Sequence, residues 1–357
     1  MYDIAVISHY LRESKDCVSA FSPIASEESL MIMASQGLLE DFPYVKSTKS
    51  YLDELRKNIT LLDANTFSVS HGNMETGSIL IPKKQVGFFQ KIKNLKDEKD
   101  VFEKYPEWLK EYAEVDLESK EIPTSKPIEE KTLEGLKNGS ALGEVKLKSF
   151  SYFKDEWQFA FNKKNSFCGN FELKDGSIDK DHVFMKKTAF IKFKRFSLEN
   201  VHFDMVVLPF DKRPDSENIT RFMIYLIPKE NNCDLESLWI TFSSYKEGKI
   251  DLIINEDCKD YYISLCVPKI SNLISKTNIV ELYDGRINKK LLNFDMTTFI
   301  DIDEGAKKSK KSIIDIFTWM VVPVGFIKAD RSHISFVYDF RTKRIPIFIK
   351  YTGEYRN

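Results

Sequence analysis

The spacing of apolar residues changes along the chain, from helical intervals to alternation. Apolar residues between Ile4 and Leu11 recur every three or four positions, which predicts an amphipathic helix. The pair Ser22-Pro23 is typical of a helix start. A third helical pattern covers 91–118, interrupted by Pro106. We therefore predict that the first 130 residues are mainly helical.

From about residue 145 apolar and polar positions alternate, and β-branched and aromatic residues become frequent. This pattern is typical of half-buried strands. The predicted strands are 201–209, 221–227, 239–243, 250–254, 261–267, 294–302, 333–339 and 344–351. Helices followed by strands predict an α+β fold with large antiparallel sheets. No linker or internal repeat divides the sequence, so a single domain over 1–357 is expected.

Composition limits the function classes. The chain has 357 residues, of which 42% are hydrophobic, and its net charge is −1. Such a mixture excludes a disordered chain, and the neutral balance gives no overall attraction to nucleic acid or anionic membranes. No apolar stretch approaches the roughly 20 residues of a membrane helix. The N-terminus lacks a signal-peptide pattern, which predicts an intracellular protein. Sequons at Asn58, Asn138 and Asn218 keep the extracellular alternative open.

The search for catalytic motifs is negative. The sequence contains no HExxH, GxSxG, GxGxxG or phosphate-binding GxxxxGK[ST] pattern. Its five histidines are far apart, and its five cysteines form no CxxC pair, so no metal site is predicted. We expect a protein that is not an enzyme and needs no cofactor.

Seven segments resemble, in the same order, segments of the serpins, a superfamily of serine protease inhibitors. These segments are 21–23 (FSP), 152–157 (YFKDEW), 203–209 (FDMVVLP), 223–228 (MIYLIP), 265–269 (LCVPK), 299–305 (FIDIDEG) and 326–348. The resemblance implies a serpin fold of three mainly antiparallel sheets with surrounding helices. It also implies an exposed reactive-centre loop over about 305–325. In inhibitory members this metastable fold traps a protease, because the cleaved loop inserts as a new central strand.

The resemblance also assigns roles to residues outside the loop. Trp157 corresponds to the family's breach, above the main sheet. The shutter positions, which control opening of that sheet, correspond to Ser22, Ala25, Ser149 and Asp295. Ala25 replaces the usual serine, Ser149 the usual asparagine, and Asp295 lies near the usual histidine. These substitutions predict an altered hydrogen-bond network, and neutral divergence is the alternative interpretation.

The hinge of the implied loop departs most from the family. After Glu304, Gly305 and Ala306, inhibitory members carry small residues, whereas this chain carries four lysines: Lys307, Lys308, Lys310 and Lys311. Because side chains alternate along a strand, insertion would turn two of these lysines inward on either choice of face. An unpaired buried charge costs several kcal/mol. The sequence therefore predicts a loop that inserts poorly.

The scissile bond can be counted from either end of the loop. Counting from the hinge gives Trp319-Met320, which suits a chymotrypsin-like protease. Counting back from the C-terminal hairpin gives Val321-Val322, which suits an elastase-like protease. A third interpretation places 313–324 against the body of the protein as an ordinary apolar strand.

Three functions follow. The favoured one is a weak or non-inhibitory serpin that acts as a monomer by binding a protein or a small ligand. The second is an active suicide inhibitor of a chymotrypsin-like or elastase-like protease. The third gives the run 307–311 a role in binding nucleic acid or glycosaminoglycan, which is not expected because the net charge is near zero. No membrane partner is expected.

Overall fold

The computed structural model of the chain describes residues 2–14, 18–24, 26, 61–71, 74–80, 143–153, 155, 157–210, 219–278, 292–305, 322–341 and 343–353. The chain divides into two compact units. The first comprises Met1–Ala20, Lys154–Leu273 and Ile300–Asn357, and the second comprises Phe21–Phe153 and Ile274–Phe299. In the described ranges no helix is long and apolar enough to cross a membrane.

The elements confirm an α+β protein. Among the elements whose bounds lie in the described residues, the helices are α1 (Tyr2–Glu13), α2 (Leu235–Ser244) and α3 (Ile250–Leu252), which continues as a π-helical turn (Ile253–Asp257). Short 3₁₀ turns cover Lys163–Asn165 and Tyr245–Gly248. The strands are β1 (Ser19–Phe21), β2 (Leu61–His71), β3 (Met74–Leu80), β4 (Gly143–Phe153), β5 (Phe167–Glu172), β6 (Ile178–Leu198), β7 (Val201–Pro209), β8 (Arg221–Pro228), β9 (Lys259–Pro268), β10 (Ile270–Asn278), β11 (Leu292–Ile302), β12 (Gly325–Lys328), β13 (His333–Asp339) and β14 (Arg344–Tyr351).

In the part of the chain that the structure describes, the larger sheet has nine strands in the order β1-β14-β13-β8-β7-β6-β9-β12, with β5 on β6. The longest of these strands is β6, which has 21 residues. The start of β6 pairs with β5, its middle with β9 and its end with β7. The described strands thus form two sheets, where three were expected, because β6 pairs with three other strands and keeps them in one sheet.

The smaller sheet has five strands in the order β10-β11-β4-β2-β3. Strands β2 and β3 pair antiparallel, with Asn65 opposite Leu80 and His71 opposite Met74. They lie within the first 130 residues, so the prediction of mainly helix is wrong there. Phe67 and Val69 alternate with polar residues, and such alternation is typical of a strand rather than a helix.

Two of the predicted strands are helical instead. Residues 239–243 belong to α2, because Leu235, Leu238, Trp239 and Phe242 are all buried at intervals of three and four. Asp234 caps this helix by accepting a hydrogen bond from the Ser237 amide at 2.9 Å. Residues 250–254 form α3 and its π turn for the same reason, with Ile250, Ile253 and Ile254 buried. The other six predicted strands are confirmed.

The core of the first unit lies between the large sheet and the helices α1 and α2. Every residue of β13 is buried, as are seven of the eight residues of β14. The Trp239 ring of α2 packs edge-on against Phe336 and Phe348, with centroids 5.5 and 5.3 Å away. Its indole Nε1 donates to the Ile4 carbonyl of α1 at 3.2 Å. Burial of each such aromatic side chain stabilises the fold by about 1.5–3 kcal/mol. Together these contacts hold α2 against the large sheet.

Candidate functional site

The segment that leaves β11 is held by two hydrogen bonds to residues 157–161. The Trp157 indole Nε1 donates to the Asp303 carbonyl at 2.7 Å, and the Phe161 amide donates to the Glu304 carbonyl at 2.8 Å. Trp157 is 2% exposed and stacks on Phe210 with ring centroids 4.7 Å apart. We call Trp157, Phe161, Lys269, Asp303, Glu304 and Gly305 the hinge site. The buried Trp157 ring and the two hydrogen bonds fix the direction in which the chain leaves β11.

The Glu304 carboxylate is the charged centre of the hinge site. The side chain is buried, and its two oxygens accept hydrogen bonds from Lys269 Nζ at 2.8 Å and Ser166 Oγ at 2.7 Å. Burial disfavours the charged form, but these hydrogen bonds outweigh it and hold the pKa of Glu304 below its ordinary value. The carboxylate is therefore ionised at neutral pH and ties the end of β11 to the start of β10, which follows Lys269.

Gly305 turns the chain out of the strand direction. Its φ of +86° lies in the left-handed region, which favours glycine. The Gly305 amide donates to Asp303 Oδ1 at 2.7 Å. A Cβ at this position would lie 3.4 Å from both Ala160 Cβ and Trp157 Cδ1. The positive φ, rather than crowding, is thus the reason that glycine is needed here.

Lys187 of β6 borders the hinge site and was not singled out by the sequence. Its Nζ donates to the Phe159 carbonyl and lies 5.2 Å from the Phe161 ring centroid. Burial lowers the pKa of Lys187 to about 8. The alternating lysines of β6 look like a solvated face in the sequence, so only the folded structure reveals that this one is partly desolvated.

Several solved structures have a fold similar to that of this chain. Native protease nexin-1 with heparin matches with a TM-score of 0.62 at 14% identity, over 99% of this chain and 97% of that chain. Uncleaved ovalbumin matches with a TM-score of 0.63 at 13% identity, and Manduca sexta serine protease inhibitor (serpin)-12 with 0.58 at 14% identity. Both of these matches also cover 99% of this chain and 97% of the other. This chain has the serpin fold. No family model matches the sequence, and no curated protein matches it.

The structure brings Trp157, Glu304 and Gly305 together, and the breach and hinge roles that the resemblance implies for them remain predictions. Lys269 of the hinge site and Ser166 beside it hold the Glu304 carboxylate, and the sequence alone predicts neither contact. Val322, one of the scissile candidates, is 81% exposed. The remaining loop residues lie outside the described ranges: Ala306, Lys307, Lys308, Lys310, Lys311, Trp319, Met320 and Val321.

The shutter positions are only partly described. Ser22 is fully buried, and Ala25 lies outside the described residues. Ser149 is in β4 and Asp295 is in β11, and these two strands are neighbours in the five-stranded sheet. The altered shutter network remains a prediction. Among the described residues no group of three or more His, Cys, Asp or Glu could hold a metal ion.

Proposed function

We propose that this protein is a serpin-fold binding protein whose loop inserts poorly, so that a protease that attacks the loop cleaves it without being trapped. Two neighbouring features of the chain support the proposal. The chain leaves β11 through a hinge site anchored by the buried Glu304 carboxylate, and the next residues include four lysines.

Insertion of the loop would first require the backbone at the hinge site to change conformation. Gly305 would need to leave its left-handed conformation and give up its hydrogen bond to Asp303 to continue β11 as a strand. A new central strand beside β11 would also have to separate β11 from β4 or β10, which are its hydrogen-bonded neighbours. These steps raise the barrier to insertion before any lysine is buried.

Burial of the lysines then opposes the inserted state itself. On a strand, Lys308 and Lys310 share one face and Lys307 and Lys311 the other. Two ammonium groups would therefore turn inward on either choice of face, and each unpaired buried charge costs several kcal/mol. Because trapping requires insertion to outrun deacylation, this barrier favours simple cleavage.

The second candidate function is suicide inhibition of a chymotrypsin-like or elastase-like serine protease. It is favoured by the exposure of the described end of the loop, where Val322 is 81% and Val324 is 72% exposed. Apolar side chains presented to solvent in this way suit the specificity pockets of such proteases.

Incubation with chymotrypsin and with elastase separates the two functions. We expect cleavage within the loop and no SDS-stable complex. A variant with Lys307, Lys308, Lys310 and Lys311 replaced by Ala is the matched comparison, and we expect it to form a detectable covalent complex. An SDS-stable complex with the unmodified protein, in an amount equal to that of the variant, would contradict the proposal.

A further inference from the structure

Lys187 carries an amine that is neither fully solvated nor paired with a carboxylate. The residue lies in β6 opposite Leu265 of β9 and is half-buried. Its Nζ donates a hydrogen bond to the Phe159 backbone carbonyl, and no carboxylate among the described residues forms an ion pair with it. Burial without a counter-ion disfavours the ammonium form, since the charge loses hydration that no negative group replaces. This amine therefore differs from that of an ordinary surface lysine.

Two aromatic rings flank the Lys187 amine. Its Nζ lies 5.6 Å from the Phe159 ring centroid and 5.2 Å from the Phe161 ring centroid. Phe161 is 3% exposed and belongs to the core, whereas Phe159 is 54% exposed and presents its ring to solvent. The rings and the carbonyl attract the ammonium, but they carry no net charge, and burial still lowers the pKa of Lys187 to about 8. The site is thus apolar, open on one side and without a counter-ion for the amine.

The lowered pKa makes the Lys187 amine available as a nucleophile at neutral pH. With a pKa of about 8, about a quarter of this amine is neutral at pH 7.5. An ordinary lysine, with a pKa of about 10.4, is neutral in only about one molecule in a thousand. Desolvated lysines of this kind form imines with carbonyl compounds. The exposed Phe159 ring offers an apolar surface on which a ring of such a compound can stack.

We propose that Lys187 is a covalent modification site for small aromatic aldehydes. The neutral Nζ forms a bond to the aldehyde carbon and gives both of its hydrogens to the carbonyl oxygen, which leaves as water. The product is an imine, and no oxidant or reductant takes part. The protonated imine nitrogen keeps one N–H that donates to the Phe159 carbonyl, as the amine does. This site goes beyond the proposed function and does not depend on whether the loop inserts.

Labelling of the full chain with benzaldehyde tests the proposal. The imine is reduced with cyanoborohydride, and benzylation at each lysine is measured by mass spectrometry of the peptides. At pH 7.5 we expect Lys187 to be labelled at least about tenfold faster than Lys186, its exposed neighbour on the other face of β6. The excess is smaller than the roughly 200-fold gain in neutral amine over an ordinary lysine, because a less basic amine is also a weaker nucleophile.

Phe159→Ala and Phe190→Ala are matched variants. Phe190 is 55% exposed, but it lies on the other face of β6, where it packs against Tyr262. Phe159→Ala keeps the backbone carbonyl and removes the stacking surface, so the labelling of Lys187 should fall by about fivefold. Phe190→Ala should leave it unchanged.

Two results would overturn the proposal. One is labelling of Lys187 no faster than that of Lys186. The other is labelling of Lys187 in Phe159→Ala as fast as in the unmodified protein. Either result leaves the hinge proposal intact, because that proposal is tested by formation of a covalent complex with a protease.

Discussion

Acidification from pH 7 to pH 4 is expected to lower the free energy of unfolding by about 3 kcal/mol through His333 alone. His333 is completely buried, and burial lowers its pKa from 6.5 to about 4. Its Nδ1 donates to the Arg331 carbonyl at 2.7 Å, while Nε2 has no partner among the described residues. Between pH 6.5 and pH 4 the unfolded chain takes up a proton at this site that the native chain does not. Stability therefore falls as the pH falls through this window.

His333→Phe tests the acid effect, because phenylalanine can keep the stacking of this ring on Tyr351 (centroids 5.1 Å apart) without titrating. Urea denaturation at pH 7.5 and pH 5 should show a loss of stability in the unmodified protein that is smaller by about 2 kcal/mol in the variant. His202→Asn is the control, since His202 is exposed and its replacement should leave the loss unchanged. An equal loss in His333→Phe and in the unmodified protein would show that His333 is not the group responsible.

Replacing Glu304 by Ala is expected to lower the free energy of unfolding by about 2–3 kcal/mol. Removal of one partner of a buried ion pair costs about 3–5 kcal/mol, and partial solvent access to the Lys269 side chain, which is 28% exposed, reduces that cost. The substitution also leaves the Ser166 hydroxyl without its acceptor. Urea denaturation at pH 7 measures the change.

A double-mutant cycle isolates the ion pair at the hinge. Glu304→Gln and Lys269→Met should each destabilise the protein, and the double variant should lose less than the sum of the two. Lys249→Met is a suitable comparison, because Lys249 pairs with Glu247 where both side chains are exposed. We expect almost no loss there. Strict additivity of the Glu304 and Lys269 substitutions would show that their contact does not stabilise the hinge.

Strands buried on both faces could be predicted from the sequence, and elements with mixed signals could not. Strand β8 is a nearly continuous apolar run, and β13 carries the apolar stretch Phe336–Tyr338 in its centre. In 239–243 the β-branched and aromatic residues favour a strand locally. Tertiary packing of Trp239 against β13 and β14, together with the Asp234 cap, makes the segment helical.

Three residues of the hinge site could be singled out from the sequence, but the side chains that hold them could not. The motif around Trp157 and the glycine at 305 were visible as local patterns. The partners of Glu304 were not, because Ser166 and Lys269 are 138 and 35 residues away along the chain. Such long-range pairs are set by the sheet order and register, and one sequence alone gives no signal for them.

The thermal midpoint of unfolding, measured before and after proteolysis confined to residues 313–324, tests the central claim most directly. We expect an unchanged midpoint, because a loop that carries lysines at 307, 308, 310 and 311 stays outside the sheet after cleavage. The variant with alanine at these four positions should instead gain stability on cleavage. A large rise in the midpoint of the unmodified protein would contradict the claim, since it would show that the loop inserts despite its lysines.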